Sequence, residues 1–280
     1  MQALFSGKGQ ARLDDVVQPG ILCAFDFDGT LAPITSHPEG ARLPRDVLER
    51  LLHLSSLTPI AVLTGRSLSD IRARLGFDPP YVVGNHGVEG MADAADLARH
   101  EACCRAWRAQ IDAALGKQQQ LQANNQTGMQ AGIQAGIHLE DKRYSLSLHY
   151  RAAPDHAAAA ARLQGLIARL EPAPRVVAGK CVFNLLPPDS FDKGGALLQL
   201  LRRSGAAGAI YVGDDVTDED VFRMRSDEVL SVRVEYAAGS AAEFYIPEHA
   251  DIARLLDELI RRLARMQAGK AAQLAGPERA

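Results

Sequence analysis

The amino-acid sequence predicts an α/β fold, with a doubly wound, mainly parallel sheet and an inserted α+β domain. In the first and last thirds of the 280 residues, short apolar runs alternate with helical patterns, as in a parallel sheet covered on both faces. In the middle, residues 142–151 alternate apolar and polar side chains, as a half-exposed antiparallel strand does. We therefore predict a core domain of residues 1–88 and 189–280 and an inserted domain of residues 89–188.

The outer segments supply the elements of the core. Each predicted strand is a short apolar run, and each predicted helix repeats apolar residues three or four positions apart. Ser67 with Asp70, and Thr217 with Asp220, have the spacing of a helix capping box. The predicted strands cover residues 21–27, 59–64, 81–83, 209–212 and 229–234. The predicted helices cover residues 44–57, 67–75, 192–203, 217–225 and 249–266, and the tail is expected to fray beyond them.

The inserted segment has a different pattern. Residues 117–136 are rich in Gln, Asn, Ala and Gly and lack an apolar period, which predicts a mobile loop. The predicted helices of the insert cover residues 97–115 and 155–170, and its predicted strands cover residues 142–151, 175–178 and 181–186.

Composition excludes several classes of protein. The chain is 47% hydrophobic and 23% charged, with a net charge of −3, so we expect no nucleic-acid partner. No apolar stretch approaches the roughly 20 residues of a membrane span, and we expect no membrane partner. Four cysteines without metal or disulfide-framework spacing indicate a reducing, cytoplasmic setting. We expect a monomer.

The segment Asp26-Phe27-Asp28-Gly29-Thr30 leaves the end of the first predicted strand, after an apolar run that begins at Ile21. Carboxyl ends of strands are where open α/β sheets bind ligands. A carboxylate placed there can attack a phosphoryl group, and Gly29 permits the sharp turn that exposes it. The alternative is a strand that ends in an ordinary Asp-Gly turn.

Other strand and helix ends offer partners for phosphate. Thr64 ends the second predicted strand, and its hydroxyl can donate to a phosphate oxygen. Lys193 begins a helix, where a cation is poorly placed for the helix dipole. Asp214 and Asp215 precede a helix, and such neighbouring carboxylates repel unless a cation lies among them. Oxygen ligands from few carboxylates suit Mg²⁺. The alternatives are a simple turn at Thr64 and a solvated Lys193.

Taken in order, these motifs resemble those of the haloacid dehalogenase (HAD) superfamily, and the insert resembles its C2-type cap domain. Further motifs resemble the trehalose-6-phosphate phosphatase family more closely. The superfamily motifs are Asp26-Phe27-Asp28-Gly29-Thr30, Thr64-Gly65-Arg66, Lys193 and Gly213-Asp214-Asp215. The family motifs include Gly84-Asn85-His86-Gly87, Glu140-Asp141-Lys142, His149-Tyr150-Arg151, Gly179-Lys180 and the acidic run from Gly213 to Asp220.

The resemblance implies a HAD-like core and Mg²⁺-dependent hydrolysis of trehalose 6-phosphate through an aspartyl phosphate. It makes Asp26 the nucleophile and Asp28 the general acid and base, with Thr64 and Lys193 holding the phosphate. The Mg²⁺ ligands would be the side chains of Asp26 and Asp214 and the backbone carbonyl of Asp28. Asp215 and Asp218 would orient the waters of the metal.

The resemblance also implies the residues that contact the sugar. Arg66, Asn85 and His86 would line the mouth of the site. From the insert, sugar hydroxyls would be contacted by Glu140, Lys142, Arg151 and Lys180. Asn184 stands where the family usually carries Glu; its amide can still bond a hydroxyl, but it supplies no charge.

Two alternatives stay open at this stage. One is a related HAD sugar phosphatase that acts on sucrose phosphate, mannosyl phosphoglycerate or a hexose phosphate. The other is a non-catalytic binding protein on the same fold, which loss of Asp26, Asp28 or Asp214 would favour; all three are present.

Overall fold

A computed structural model of the chain describes residues 1–35, 38–123, 136–224 and 226–275. The chain divides into two compact units. The outer unit contains Met1–Met91 and Phe191–Ala280, and the inner unit contains Ala92–Ser190. The boundaries drawn from the sequence, after residues 88 and 188, lie close to these.

The elements are numbered in chain order. The strands are β1 (Gln2–Ala3), β2 (Leu22–Phe25), β3 (Ile60–Leu63), β4 (Tyr81–Val83), β5 (His138–Asp141), β6 (Leu146–His149), β7 (Arg175–Gly179), β8 (Val182–Leu186), β9 (Ala209–Gly213), β10 (Val229–Val234) and β11 (Phe244–Ile246). The α-helices are α1 (Gly7–Val16), α2 (Arg45–Ser55), α3 (Leu68–Leu75), α4 (Ala94–Ala123), α5 (His156–Ile167), α6 (Lys193–Ser204), α7 (Glu219–Phe222) and α8 (Ile252–Ala275).

The outer unit is built on one parallel sheet, with the strand order β1-β11-β10-β9-β2-β3-β4. Its central strand β2 alternates between two apolar layers. Cys23 and Phe25 belong to the layer formed with α1, α2, α3 and α8, and Leu22 and Ala24 belong to the layer formed with α6 and α7. Because both faces are covered, β2 and its neighbour β3 are apolar throughout. The predicted fold class is confirmed.

The inner unit has an antiparallel sheet, in the order β5-β6-β8-β7. One face packs against α4 and α5 through Trp107, Leu148, Leu163 and Phe183, among others. Among the residues that the structure describes, no helix is both long and apolar enough to cross a membrane.

Several predicted bounds within the insert are wrong. The predicted loop begins inside α4, which continues to Ala123, because Gln, Ala and Leu are good helix formers even without an amphipathic pattern. Residues 124–135 of that predicted loop lie outside the described residues. The single strand predicted over residues 142–151 is shorter, since β6 begins at Leu146 and Arg143 has a positive φ of 73° in the turn from β5.

The outer unit contains elements that the sequence pattern missed. Strands β1 and β11 are very short, and each is defined by its pairing within the sheet. Helix α1 precedes the first predicted strand, with Ser6 as its N-cap. The predicted end of the last helix at residue 266 is wrong, because α8 continues to Ala275; residues 276–280 of the tail that we expect to fray lie outside the described residues.

Candidate active site

Functional side chains meet where the parallel strands of the outer unit end. Asp26 follows β2, Thr64 follows β3 and Asp214 follows β9, and the strands are paired in register as Phe25 to Val212 and Phe25 to Val62. Since the strands are parallel, their carboxyl ends lie at one edge of the sheet. The backbone N–H of Asp26 donates to the carbonyl of Val212 at 2.8 Å, which fixes Asp26 to the neighbouring strand.

A buried ion pair occupies the centre of this edge. Lys193 Nζ donates to Asp26 Oδ1 at 2.9 Å and to Asp218 Oδ1 at 2.6 Å. Lys193 begins α6, and Asp192 caps that helix by accepting the N–H of Gly195 at 2.7 Å. Burial acts to lower the pKa of Lys193, but the two carboxylates outweigh it and raise that pKa. Lys193 is therefore a permanent cation here.

Asp218 uses the full acceptor capacity of its carboxylate. Its Oδ1 accepts from Lys193 and, at 2.6 Å, from the hydroxyl of Tyr211. Its Oδ2 accepts the backbone N–H groups of Asp214 and Asp215, each at 2.8 Å. An ionised carboxylate has about four lone-pair sites. This saturation makes Asp218 an anchor of the segment of residues 214–218, the acidic loop.

The N-cap of the helical turn at Asp218 differs from the prediction. Asp215 is the N-cap, and Asp215 and Asp218 form a reciprocal capping box. The predicted pair, Thr217 with Asp220, has the same spacing, so that prediction is wrong by two positions.

Asp214 lies beside the Asp26–Thr30 loop. Thr30 Oγ1 donates to Asp214 Oδ1 at 2.9 Å. Burial, followed by the charge of Asp218, raises the pKa of Asp214 to about 7. Gly29 has a φ of +85°, and a Cβ there would lie 2.1 Å from Asp214 Oδ2. Glycine is thus required both by the turn, as the sequence predicts, and by the close approach of the carboxylate.

Three carboxylates of the outer unit could hold a metal ion. One oxygen each from Asp26, Asp214 and Asp218 lies within 4.8 Å of the others. Burial, opposed by Lys193 and reinforced by the other two carboxylates, raises the pKa of Asp26 well above its ordinary value. A hard divalent cation is bound by such oxygen ligands and offsets their repulsion. Asp26 and Asp214 therefore fit Mg²⁺ as ligands, with the saturated Asp218 as a third negative charge nearby.

Asp28 directs its carboxylate to Arg66. Arg66 Nε donates to Asp28 Oδ2 at 2.7 Å, and Arg66 Nη2 donates to Asp28 Oδ1 at 2.6 Å. Arg66 Nη1 also donates to Asp70 at 2.7 Å, and Asp70 accepts two hydrogen bonds from Arg74. These four residues form a chain of alternating charges that leads away from the Asp26–Thr30 loop along α3.

The loops after β3 and β4 are joined by backbone hydrogen bonds. The N–H of His86 donates to the carbonyl of Thr64 at 2.9 Å, and the N–H of Asn85 donates to that of Arg66 at 2.8 Å. Thr64, Asn85 and His86 are all buried. Asn85 and His86 have positive φ angles of 49° and 57°, a costly conformation that surrounding contacts must enforce.

Three supporting residues of the site are not predicted from the sequence. The Glu89 carboxylate accepts from Asn85 Nδ2 at 2.7 Å and from the Leu68 N–H at 2.8 Å, joining the loop after β4 to the start of α3. The second is Tyr211, which bonds Asp218; a Tyr within an apolar strand signals such a partner, because buried phenols seek one. The third is Arg233, near the end of β10, whose contacts follow below.

Within the inner unit, several predicted sugar contacts lie together. Glu140 on β5, Ser147 on β6 and Asn184 on β8 are register partners across the sheet. His149 Nε2 lies 2.8 Å from Glu140 Oε2, and Lys142 Nζ lies 3.8 Å from the same oxygen. The hydrogen bond with His149, and then the charge of Lys142, hold the pKa of Glu140 below its ordinary value against the effect of burial.

Both amide atoms of Asn184 are bonded within the sheet. Its Oδ1 accepts from Ser147 Oγ at 2.7 Å, and its Nδ2 donates to the carbonyl of Val177 at 3.4 Å. Arg151 and Lys180 meet elsewhere, at the turn between β7 and β8, where Arg151 donates to the Lys180 carbonyl at 3.4 Å. The structure thus places Asn184 in one row across the sheet with Glu140 and Ser147, the Glu140 row. Arg151 and Lys180 lie together outside this row.

Comparison with solved structures shows what the fold resembles. The C-terminal domain of trehalose-6-phosphate phosphatase from C. albicans has a TM-score of 0.67 at 20% identity, covering 93% of this chain and 98% of that one. Trehalose-6-phosphate phosphatase from Aspergillus fumigatus has a TM-score of 0.60 at 22% identity, covering 93% and 99%. At these identities the likeness is one of fold alone, and it agrees with the predicted fold class.

The family follows from sequence. A family model described as trehalose-phosphatase matches residues 24–246. Trehalose-phosphate phosphatase of Mycobacterium bovis (strain BCG / Pasteur 1173P2) is 35% identical over 259 residues, covering 88% of this chain and 62% of the relative. That of Mycobacterium avium (strain 104) is 36% identical over 207 residues, covering 71% and 49%. The chain belongs to the trehalose-phosphatase family, and it spans less than two thirds of the length of these relatives.

Proposed function

We propose that this chain hydrolyses trehalose 6-phosphate to trehalose and phosphate, in a Mg²⁺-dependent reaction with Asp26 as the nucleophile. The observation that carries the proposal is the setting of Asp26: a buried carboxylate at the carboxyl edge of a parallel sheet, bonded to Lys193 and grouped with Asp214. Membership of the trehalose-phosphatase family supports the substrate.

The chemistry has two steps. Asp26 attacks phosphorus and forms an aspartyl phosphate while the bond from phosphorus to the sugar oxygen breaks, and Asp28 gives a proton to that oxygen. A water then attacks phosphorus and loses its proton to Asp28. The bond from phosphorus to Asp26 breaks, which releases phosphate and restores both carboxyl groups. Thr64 and Lys193 bind the phosphate oxygens throughout.

The metal would be held by the side chains of Asp26 and Asp214 and the backbone carbonyl of Asp28. When bound, Mg²⁺ offsets the repulsion between Asp26 and the phosphate. Asp218 supports this site indirectly, because its acceptor capacity is used by Lys193, Tyr211 and the acidic loop. Asp215 caps the turn that carries Asp218 and would orient the waters of the metal, whereas Asp218 would act through Lys193 and the backbone that it holds.

The sugar would be recognised by polar side chains. Arg66, Asn85 and His86 belong to the outer unit. In the inner unit, Glu140, Lys142 and Asn184 offer acceptors and donors that trehalose hydroxyls require, and Arg151 and Lys180 offer two further cations.

The cysteines are free thiols, which supports a reducing, cytoplasmic location.

The test is phosphate release from a panel of trehalose 6-phosphate, sucrose 6-phosphate, mannosyl phosphoglycerate and glucose 6-phosphate, with Mg²⁺ or with EDTA. We expect trehalose 6-phosphate to be preferred and EDTA to abolish release. Asp26→Asn should lower turnover by more than about 10³-fold, because the variant lacks the carboxylate that attacks phosphorus. A preference for another sugar phosphate would show that the proposed substrate is wrong. An active, folded Asp26→Asn protein would disprove the mechanism.

A further inference from the structure

Arg233 contacts the acidic loop from the neighbouring strand. It lies on β10 in register with Gly213, the last residue of β9. Its Nη2 donates to the carbonyl of Asp214, and its Nη1 donates to the carbonyl of Asp215 at 3.3 Å. The Arg233 side chain is only 15% exposed, so these hydrogen bonds are largely shielded from water.

The acidic loop is thereby held from two sides. Asp218 accepts the N–H groups of Asp214 and Asp215, and Arg233 donates to the carbonyls of the same two residues. All four backbone polar groups of this dipeptide are bonded to one carboxylate and one guanidinium. The direction of the Asp214 side chain depends on this backbone, since the carboxylate is only two bonds from the Cα.

Arg233 is itself anchored. Its Nη1 lies 3.5 Å from Glu219 Oε1. The Glu219 side chain is only 8% exposed, so this ion pair is mostly buried. The other oxygen of Glu219 accepts the backbone N–H of Ala241 at 3.0 Å. The guanidinium therefore joins the acidic loop, the first turn of α7 and the segment that leads to β11.

We propose that Arg233 is a positioning residue, which sets the affinity for the divalent cation by fixing the backbone of Asp214. The proposal rests on the metal site of the proposed function. A purely electrostatic role predicts the opposite sign. A positive charge repels a cation, so its removal would tighten Mg²⁺ binding if charge alone mattered, whereas loss of positioning weakens it.

The experiment measures Mg²⁺ binding by the rise in thermal unfolding temperature with Mg²⁺ concentration. The variants are Arg233→Lys, which keeps the charge but loses the fork geometry, and Arg233→Gln, which loses both. We expect each to need about tenfold more Mg²⁺ for the same shift, the effect typical of a residue that orients a metal ligand. An unchanged Arg233→Lys, or tighter binding by Arg233→Gln, would overturn the proposal.

Two further variants make the result specific. Arg12→Lys is the matched control: Arg12 also pairs with carboxylates and a carbonyl of the outer unit, namely Asp15, Glu243 and Asp227, and its replacement should leave the Mg²⁺ response unchanged. Glu219→Ala removes the anchor of Arg233 and should weaken the response in the same direction. If the wild type shows no Mg²⁺ response, the metal site itself fails. If the wild type responds to Mg²⁺ and the Glu219 and Arg233 variants respond equally, the metal site stands and only the positioning role is overturned.

Discussion

Asp28 and Arg66 form a two-point ion pair, with both carboxylate oxygens bonded at 2.7 and 2.6 Å. An ionised carboxylate is an acceptor only. In the proposed reaction Asp28 must deliver a proton to the sugar oxygen, so this pair has to open first. Arg66 is also a proposed substrate contact, and a bound sugar phosphate that draws Arg66 away would release Asp28. In the proposed reaction, the pair would thus link substrate binding to proton transfer.

Replacing Asp28 should separate the two chemical steps. We expect Asp28→Asn to lower turnover of trehalose 6-phosphate by about 10²–10⁴-fold, the usual contribution of a general acid and base. With p-nitrophenyl phosphate the leaving group needs little protonation, so the first step should proceed and the second should stall. A burst of p-nitrophenol equal to the enzyme concentration, with phosphate retained on the protein, checks this. Steady release without a burst would contradict the role of Asp28 in the second step.

Removing the buried cation should destabilise the fold as well as abolish activity. Lys193→Met keeps most of the side-chain volume but leaves Asp26 and Asp218 without their shared partner. Loss of one partner of a buried ion pair costs about 3–5 kcal/mol. Urea unfolding without Mg²⁺ measures the change in the free energy of unfolding.

The control for that experiment is Lys8→Met on the exposed surface of α1, where we expect a change within about 0.5 kcal/mol. A loss below about 1 kcal/mol for Lys193→Met, the range of exposed ion pairs, would mean that the buried pair contributes little.

Sugar recognition should depend on the Glu140 row and on Lys142, which pairs with Glu140, while phosphate chemistry should not. Glu140→Ala and Lys142→Ala each remove a proposed hydroxyl partner, at about 1–3 kcal/mol or roughly 5–150-fold. We expect kcat/KM for trehalose 6-phosphate to fall by such a factor, with p-nitrophenyl phosphate almost unaffected. Equal losses for both substrates would assign these residues to folding. Asn184→Glu tests the departure from the family, and a change confined to the sugar substrate would identify position 184 as a sugar contact.

The pH dependence of stability should contain a contribution from His249, which lies half-buried just before α8. Burial lowers its pKa below the ordinary 6.5, although the carbonyls of Ala32 and Thr30 oppose the shift. The folded protein therefore leaves the ring neutral where the unfolded chain protonates it. This contribution to stability is present above pH 6.5 and is lost as the pH falls through that value.

Comparison with His249→Gln isolates this effect, because Gln keeps polarity without titrating. Between pH 7 and pH 5.5, urea unfolding should show that the wild type loses more stability than the variant. Parallel pH profiles would show that His249 titrates alike in both states.

The local sequence pattern predicts the strands that carry the site because burial on both faces makes them continuous apolar runs. Strands β4 and β10 have the bounds that the sequence predicts, and Asp26, Thr64 and Asp214 follow their strands as expected. Strands β1 and β11 are two and three residues long. No periodicity can be read from such lengths, so their pairing in the sheet alone defines them.

The cap of the turn at Asp218 shows where local rules stop. Thr217 with Asp220 and Asp215 with Asp218 satisfy the same spacing, so the sequence determines that a capped turn follows Gly213 but not which pair caps it. The choice falls on Asp215 and Asp218 because Asp218 is also bonded by Lys193 and Tyr211. Lys193 is 25 positions away in the chain, and only the packing of α6 against the sheet brings it there. The sequence by itself determined the residue types and their strand ends; the tertiary structure decided which charges neutralise one another, because that depends on distances between elements remote in sequence.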